Sequence, residues 1–175
     1  MNSNKTIVIA EDSATQAARL QFILEDKGYT VFHGKDGREA LKIIQDKKPD
    51  LVISDIMMPL MDGFTLAKSV KDAPELTDIP VILLTTLSGL SDILKGLESG
   101  ADNYMIKPYN EMDLLSKVEA VFNTGKAGIS ELIGTDLKIT YDDYSYNINN
   151  NSTKLADFLI TTYETALQKN DALER

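Results

Sequence analysis

The sequence predicts an α/β fold: a doubly wound, five-stranded parallel sheet flanked by five helices, followed by a β-hairpin and a C-terminal helix. Short apolar runs alternate with stretches of helical spacing through residues 4–123, a pattern typical of a parallel sheet with helices on both faces. The third and fourth apolar runs contain almost no polar residue, as strands buried on both faces require. Capping and helix-breaking residues lie between the segments and support this division.

The predicted strands are short runs rich in Val, Ile or Tyr. In chain order they are Ile7–Ala10, Thr30–Phe32, Leu51–Ser54, Val81–Thr85 and Asn103–Ile106. Each run is followed by a polar or glycine-containing segment, so five separate strands are expected rather than a few long ones.

The segments between the strands show the spacing of amphipathic helices. In the first helix the apolar positions are Ala17, Leu20, Ile23 and Leu24, and in the second they are Ala40, Leu41, Ile43 and Ile44. Helix-stopping residues follow the first four helices: Gly28, Pro49, Pro74 and Gly100. Residues favoured at helix N-caps precede all five: Asp12, Asp36, Asp62, Ser88 and Asn110.

The pattern changes after Phe122, and residues 124–175 are expected to form an appendage. We predict a linker over 124–136, a β-hairpin over 137–150 and a helix over 152–175 that begins after Ser152. Within the helix a heptad seam is formed by Ala156, Leu159, Tyr163, Ala166, Asn170 and Leu173. Two interpretations stay open: a parallel coiled coil between two chains, or a helix that packs on its own hairpin. The helix reaches Arg175 without a stop signal, which predicts a chain cut inside a longer helix.

Composition excludes several classes of function. Cysteine is absent, so disulfides, thiolate metal sites and cysteine nucleophiles are excluded. The 18 Lys and Arg against 27 Asp and Glu give a net charge of −9, which disfavours a nucleic-acid partner. No run approaches the roughly 20 apolar residues of a membrane span. We therefore expect a cytoplasmic protein, with its single histidine, His33, at the surface near the end of the second strand.

Polar residues follow the predicted strands at the end where open parallel sheets carry their sites. Glu11 and Asp12 follow the first strand and Asp55 the third, while Thr85 and Thr86 close the fourth and Lys107 follows the fifth. Three close carboxylates repel one another unless a cation lies between them, and Mg²⁺ suits such oxygen ligands. Asp55, on the middle strand, is the natural nucleophile for a phosphoryl group, which Lys107 and Thr85 would contact.

Each of these residues also has an ordinary structural interpretation. Asp12 would cap the first helix, Lys107 would be a solvated loop cation, and Thr85 would end a strand because β-branched residues fit there. The interpretations are reasonable singly, but together they require five coincidences at one end of one sheet. The joint pattern therefore favours a phosphoryl-accepting site.

Residues 4–123 resemble the response-regulator receiver domain, of the CheY-like kind. The resemblance lies in Glu11 and Asp12, the stretch Asp55–Gly63, Thr85, Gly100–Asp102, Tyr104, and Lys107 with Pro108. It implies the strand order 2-1-3-4-5 and a cis peptide bond before Pro108. The phosphodonor it implies is a histidine kinase or a histidine phosphotransfer protein.

The resemblance also implies roles for individual residues. Asp55 would be phosphorylated, and Mg²⁺ would be bound by Asp12, Asp55 and the Met57 carbonyl, with Glu11 helping through water. Thr85 and Tyr104 match the family's switch pair, in which the hydroxyl moves toward the phosphoryl group and the aromatic ring swings inward. Such an element responds to a new dianion by a shift between two populations.

Three residues depart from the family pattern. Thr86 stands where many receivers carry a smaller residue, which would narrow access to the phosphoryl group. Met57 and Leu87 are apolar where some relatives place amides or acids that orient an attacking water. We therefore expect a relatively long-lived aspartyl phosphate.

The stretch Leu159–Asn170 is similar to the segment that joins a receiver to a downstream coiled coil in some hybrid sensor histidine kinases. It implies a homodimer through the C-terminal helix and a parent protein that continues into a kinase or another output module. This chain has no histidine followed by an acid on a helix and no glycine-rich ATP lid. The expected chemistry of the chain itself is therefore limited to self-phosphorylation and autodephosphorylation.

Three other functions fit the sequence less well. A haloacid-dehalogenase-type phosphatase needs an acid two residues after its nucleophile, where this chain has Met57. A flavodoxin-like cofactor binder needs a phosphate-cradling first loop, which Glu11 and Asp12 would oppose. A receiver that acts only as a phosphorylation-independent scaffold has no need of the complete set of acids, threonine and lysine. A titration with Mg²⁺ and beryllofluoride separates these alternatives from a phosphoacceptor.

Overall fold

The computed structural model describes residues 5–86, 90–123, 137–141 and 144–148. Ten helices and strands alternate along the first two of these ranges. They are β1 (Thr6–Ala10), α1 (Ala14–Asp26), β2 (Thr30–Gly34), α2 (Gly37–Lys47), β3 (Leu51–Asp55), α3 (Gly63–Asp72), β4 (Val81–Thr85), α4 (Leu90–Ser99), β5 (Asn103–Ile106) and α5 (Glu111–Asn123). The predicted linker over 124–136, the helix over 152–175, Leu87 and Ser88 lie outside the described residues.

The sheet confirms the expected α/β fold. Its strand order is β2-β1-β3-β4-β5, and all neighbouring strands are parallel. The register places Asp55 beside Leu84 and Thr85 beside Ile106. Polar residues from different strands are thereby brought to one edge of the sheet, the edge formed by the carboxyl ends of the strands.

Two apolar clusters cover the two faces of the sheet, because neighbouring residues in a strand point to opposite sides. Val8 and Val52 pack with α2 and α3 on one face, and Ile9 and Ile53 pack with α1 on the other. Every residue of β3 and β4 is buried. Each such aliphatic side chain contributes about 1.5–3 kcal/mol on burial, so the two central strands anchor the fold.

The helix starts agree with the sequence at three positions and differ at one. Asp36, Asp62 and Asn110 accept hydrogen bonds from backbone N–H groups in the first turns of α2, α3 and α5. Asp12 does not cap α1: the cap is Ser13, whose side chain accepts from the Gln16 N–H at 3.4 Å. Since α1 begins only at Ala14, Asp12 lies in the preceding loop, and its side chain is not used as the helix cap.

The second strand is longer than predicted. It continues through His33 to Gly34, because both residues pair with β1, His33 with Ile9 and Gly34 with Ala10. His33 is half-buried, and its Nε2 lies 2.8 Å from the Glu11 carbonyl oxygen. The expectation of a surface histidine was therefore wrong, since strand pairing places the ring against the β1–α1 loop.

The predicted hairpin is confirmed by strands β6 (Leu137–Tyr141) and β7 (Tyr144–Ile148). They pair antiparallel, with Leu137 opposite Ile148 and Tyr141 opposite Tyr144. Cα atoms of β7 lie within 8 Å of Cα atoms of α4.

Among the described helices, none combines the length and apolar character needed to cross a membrane.

Candidate functional site

Three carboxylates meet where β1 and β3 end. One oxygen each from Glu11, Asp12 and Asp55 can be chosen so that all three lie within 4.8 Å of one another. Glu11 is 2% exposed and Asp55 8% exposed, whereas Asp12 is open to solvent. Like charges at this separation disfavour one another, and a hard cation with oxygen ligands would relieve the repulsion. The donor set therefore fits Mg²⁺.

Lys107 supplies a positive charge to the same cluster. Its Nζ lies 3.0 Å from Asp55 Oδ2 and 3.1 Å from Glu11 Oε2, and its side chain is only 16% exposed. Burial acts to lower the pKa of Lys107, but hydrogen bonding and charge from Asp55, followed by Glu11, outweigh it and raise that pKa above its ordinary value. The ammonium is thus a charged member of the site and not a solvated loop cation.

Backbone contacts fix the Asp55 side chain. Its Oδ1 accepts a hydrogen bond from the Ile56 N–H at 2.7 Å, while Oδ2 faces Lys107. Gly63, the first residue of α3, approaches so closely that a Cβ would collide with the Asp55 carbonyl oxygen. Only glycine allows α3 to begin this close to the end of β3, and the close approach fixes the backbone that carries the Asp55 side chain.

A cavity of about 480 Å³ opens in front of Asp55. Thr85 and Lys107 line it on the sheet side, with Thr85 only 4% exposed. Met58 and Phe64 add apolar surface. The Met57 side chain is 74% exposed. The cavity is thus lined by a carboxylate, a hydroxyl and an ammonium, from Asp55, Thr85 and Lys107.

Tyr104 lies on β5, next to β4, the strand that ends in Thr85. The ring is 2% exposed, and its hydroxyl donates to the Gly96 carbonyl oxygen of α4 at 2.5 Å. The same carbonyl accepts from Ser99 Oγ at 2.7 Å. The ring is therefore already inward in this structure, joined to the backbone of α4. The bond between Lys107 and Pro108 is cis, as the resemblance implied.

Two neighbours of the site were not predicted. Gln16 in the first turn of α1 accepts a hydrogen bond from Lys107 Nζ at 2.9 Å, and the His33 ring bonds to the Glu11 carbonyl oxygen. Gln16 lies four residues after Asp12, in the first turn of a helix that the sequence predicts to begin beside the site. That position is the one sequence signal that could have identified Gln16. Nothing comparable in the sequence distinguishes His33.

Comparison with known proteins agrees with the geometry. The family model described as "Response regulator receiver domain" matches residues 7–119, well over half of the chain. The alkaline phosphatase synthesis transcriptional regulatory protein PhoP of Bacillus subtilis is 32% identical, over 81% of this chain and 62% of its own length. The phosphate regulon transcriptional regulatory protein PhoB of Pseudomonas aeruginosa is 31% identical, over 98% of this chain and 79% of its own length.

Solved structures give the same result. The signal receiver domain of a signal transduction histidine kinase from Syntrophus aciditrophicus is 43% identical, with a TM-score of 0.67, over 76% of this chain and 99% of that domain. Chemotaxis response regulator CheY4 of Vibrio cholerae is 32% identical, with a TM-score of 0.64, over 68% of this chain and 99% of its own. The chain spans only 58% of one curated relative, the probable transcriptional regulator ycf27 of Guillardia theta. On this evidence the chain belongs to the response regulator receiver domain family.

Proposed function

We propose that this chain accepts a phosphoryl group on Asp55, with Mg²⁺, from the phosphohistidine of a histidine kinase or phosphotransfer protein. The observation that carries the proposal is the Lys107 ammonium, which lies 3.0 Å from the Asp55 carboxylate at the mouth of a cavity. A structural ion pair would not need the third strand to end in a nucleophile that faces open space. The family to which the chain belongs takes phosphate from donors of this kind.

The transfer is a displacement at phosphorus. A carboxylate oxygen of Asp55 forms the new O–P bond while the P–N bond to the donor imidazole breaks, and the nitrogen keeps the bonding pair. Lys107 turns one N–H from Asp55 to a phosphoryl oxygen, and the Thr85 hydroxyl donates to another. Asp12, Asp55 and the Met57 carbonyl would hold Mg²⁺, with Glu11 acting through water. The ion supplies charge neutralisation for the phosphoryl oxygens.

Turnover as a phosphatase is not favoured. A haloacid-dehalogenase-type phosphatase needs a general acid two residues after its nucleophile. The residue there is Met57, whose side chain has no ionisable proton to donate. The same apolar side chain, together with Thr86 beside the cavity, supports a slowly hydrolysed aspartyl phosphate. A phosphorylation-independent scaffold would place no demand on the arrangement of Lys107 between two carboxylates.

The response to phosphorylation is proposed to run through Thr85 and Tyr104. Thr85 is the last residue of β4 and lies beside the cavity. Tyr104, on the neighbouring strand β5, pairs with Leu83 of β4. Movement of the Thr85 hydroxyl toward a phosphoryl group changes the space that the Tyr104 ring fills. Because the Tyr104 hydroxyl bonds to α4, a population shift of the ring is also a shift of α4.

We further propose that residues 4–123 are the receiver domain of a cytoplasmic hybrid sensor histidine kinase. The linker over 124–136, the hairpin and a dimeric helix over 152–175 would carry the signal onward. The 43% identity to a receiver from a histidine kinase supports this parent. The alternative is that the parent protein is a transcriptional regulator, and the alignment with PhoB over 98% of the chain supports this alternative. Light scattering of the chain with and without beryllofluoride tests the dimeric helix, which predicts a mass of two chains.

The direct test is phosphorylation with acetyl phosphate and Mg²⁺, read by intact-mass spectrometry. We expect the unaltered chain to gain one phosphoryl group, lost on treatment with hydroxylamine, and Asp55→Asn to gain none. Asp46→Asn is the matched control, because Asp46 is exposed on α2 and pairs only with neighbouring Lys47 among the described ion pairs. Equal labelling of the Asp55→Asn protein would reject the proposed phosphoacceptor.

A further inference from the structure

Lys107 has a third partner that the phosphoryl-transfer chemistry does not account for. Its ammonium carries three N–H donors. Two point to carboxylates, Asp55 at 3.0 Å and Glu11 at 3.1 Å, and the remaining acceptor is Gln16 Oε1 at 2.9 Å. The shortest of the three contacts is thus made to a neutral amide on another element.

Gln16 and Lys107 are joined across the fold and not along the chain. They are 91 residues apart, Gln16 in the first turn of α1 and Lys107 in the segment between β5 and α5. The backbone of Gln16 is fixed by the Ser13 cap, and α1 is anchored by the buried residues Ala17 and Leu20. A side chain carried by a fixed helix can position its partner in a way that a loop side chain cannot.

Both carboxylate partners of Lys107 have other roles in the proposed reaction, and Gln16 has none. Phosphorylation converts the Asp55 carboxylate into an acyl phosphate, and Glu11 belongs to the acidic cluster that would face a divalent cation. The Gln16 carbonyl takes part in neither event. Among the described acceptors of the ammonium, it alone neither reacts nor belongs to the acidic cluster.

Gln16 also stands between two cavities. It lines the cavity of about 480 Å³ in front of Asp55 and a neighbouring one of about 340 Å³, which Arg19, Pro108 and Tyr109 line as well. Gln16, Thr86 and Lys107 are common to both cavities. Without the hydrogen bond to Gln16, the ammonium could tilt away from Asp55 into the second cavity.

We propose that Gln16 is a positioning residue for phosphoryl transfer: its side-chain carbonyl holds the Lys107 ammonium over Asp55 while Asp55 is phosphorylated. This inference rests on the proposed function, because it assigns Gln16 to the same reaction. Gln16 touches no carboxylate of the acidic cluster in any described hydrogen bond. Its loss should therefore weaken the response to a phosphoryl group without weakening the binding of Mg²⁺.

The test compares Gln16→Leu, which keeps the size of the side chain but removes the acceptor, with the unaltered chain. We expect phosphorylation by acetyl phosphate to slow roughly fivefold, the effect of one hydrogen bond to a partly exposed charge. Calorimetry should show beryllofluoride binding weakened by a similar factor and Mg²⁺ affinity unchanged. The matched control is Gln21→Leu, since Gln21 is a partly exposed α1 residue that bonds only to Glu25 among the described hydrogen bonds.

Gln16→Glu sharpens the test, because it keeps an acceptor for Lys107 but adds a negative charge at the cavity. We expect slow phosphorylation at low ionic strength and near-normal rates at high ionic strength, where salt screens the approach of an anionic donor. Gln16→Leu should stay slow under both conditions. A merely structural effect would not separate the two variants by salt.

The outcomes distinguish this inference from the function on which it rests. If the unaltered chain is phosphorylated and Gln16→Leu matches it in rate and in beryllofluoride affinity, the role of Gln16 is overturned alone. Equal losses in Gln16→Leu and Gln21→Leu would overturn it as well, since the effect would then belong to α1 in general. An unaltered chain that gains no phosphoryl group would overturn both proposals together.

Discussion

Around the ends of β1, β3 and β5 the reacting side, formed by Glu11, Asp55 and Lys107, is charged, whereas the responding side, formed by Thr85 and Tyr104, is neutral and buried. Glu11 and Asp55 are tied to Lys107 by ion pairs of 3.1 and 3.0 Å. Thr85 and Tyr104 lie in the core, and the Tyr104 hydroxyl is held by a carbonyl of α4. The reacting side is thus fixed by electrostatics and the responding side by packing, so changes to charge and changes to packing should have separable effects.

The largest effect is expected from removing the cation of the reacting side. Lys107→Met leaves two largely buried carboxylates without their counter-charge and the phosphoryl oxygens without one of their two proposed protein donors. Phosphorylation by acetyl phosphate should slow by a factor on the order of 100 or more, as measured for the loss of one donor to a developing charge. Lys47→Met, which changes an exposed lysine on α2, should leave the rate unchanged. Phosphorylation of Lys107→Met at the unaltered rate would contradict the comparison.

A moderate effect is expected on the responding side. Tyr104→Phe keeps the ring but removes the hydrogen bond to Gly96, which should lower the free energy of unfolding by about 1 kcal/mol in urea denaturation. The phosphorylation rate should stay close to normal because the charged groups are untouched. Ser99→Ala removes the other side-chain donor to the same carbonyl, and the double variant should lose more than the sum, since the buried carbonyl then has neither. Simple additivity would argue against a shared acceptor.

The smallest effect is expected at the opposite edge of the sheet, at Asp50. Burial acts to raise the pKa of this carboxyl, but the hydrogen bonds from Lys5 and the Thr6 N–H outweigh it, and the pKa lies below 3.8. A lowered folded-state pKa stabilises the protein above pH 3.8, and that stability is lost as the pH falls through the folded value. Asp50→Asn should therefore cost roughly 0.5 kcal/mol at neutral pH and nothing in acid, because the pair is partly exposed.

Unfolding curves at several pH values check this sign. Lys107 has the opposite dependence: its raised pKa stabilises the fold fully below 10.5, and the contribution disappears as the pH rises through the folded value. An Asp50→Asn protein whose stability deficit grew on acidification would show that the pair does not act as described.

The sequence predicted much of the reacting side and less of the responding side. Strand runs and turn residues determine which side chains follow β1, β3 and β5, so the convergence of Glu11, Asp55 and Lys107 could be expected. The contacts of Gln16 and His33 could not, because hydrogen bonds between residues 91 and 22 positions apart leave no local pattern. The inward Tyr104 ring was foreseen only as the phosphorylated arrangement, since periodicity predicts that a residue is buried but not its rotamer.

The cap of α1 shows the same limit on a smaller scale. Asp12 and Ser13 are both favoured N-cap residues, and a pattern alone does not choose between neighbours. The structure gives the cap to Ser13, and the Asp12 carboxylate is consequently able to join Glu11 and Asp55. One position of difference decides whether this acid serves the helix or the site.

The enclosure of β3 and β4 on both faces has a mechanical consequence. A close-packed interior transmits a local push instead of absorbing it, and neither strand has a solvent side into which it could relax. A group attached at the end of β3 therefore pushes against strands that cannot relax toward solvent. In the proposed function the displacement would emerge along the helices that flank these strands, so that a modification of a few atoms is reported over the length of a whole helix.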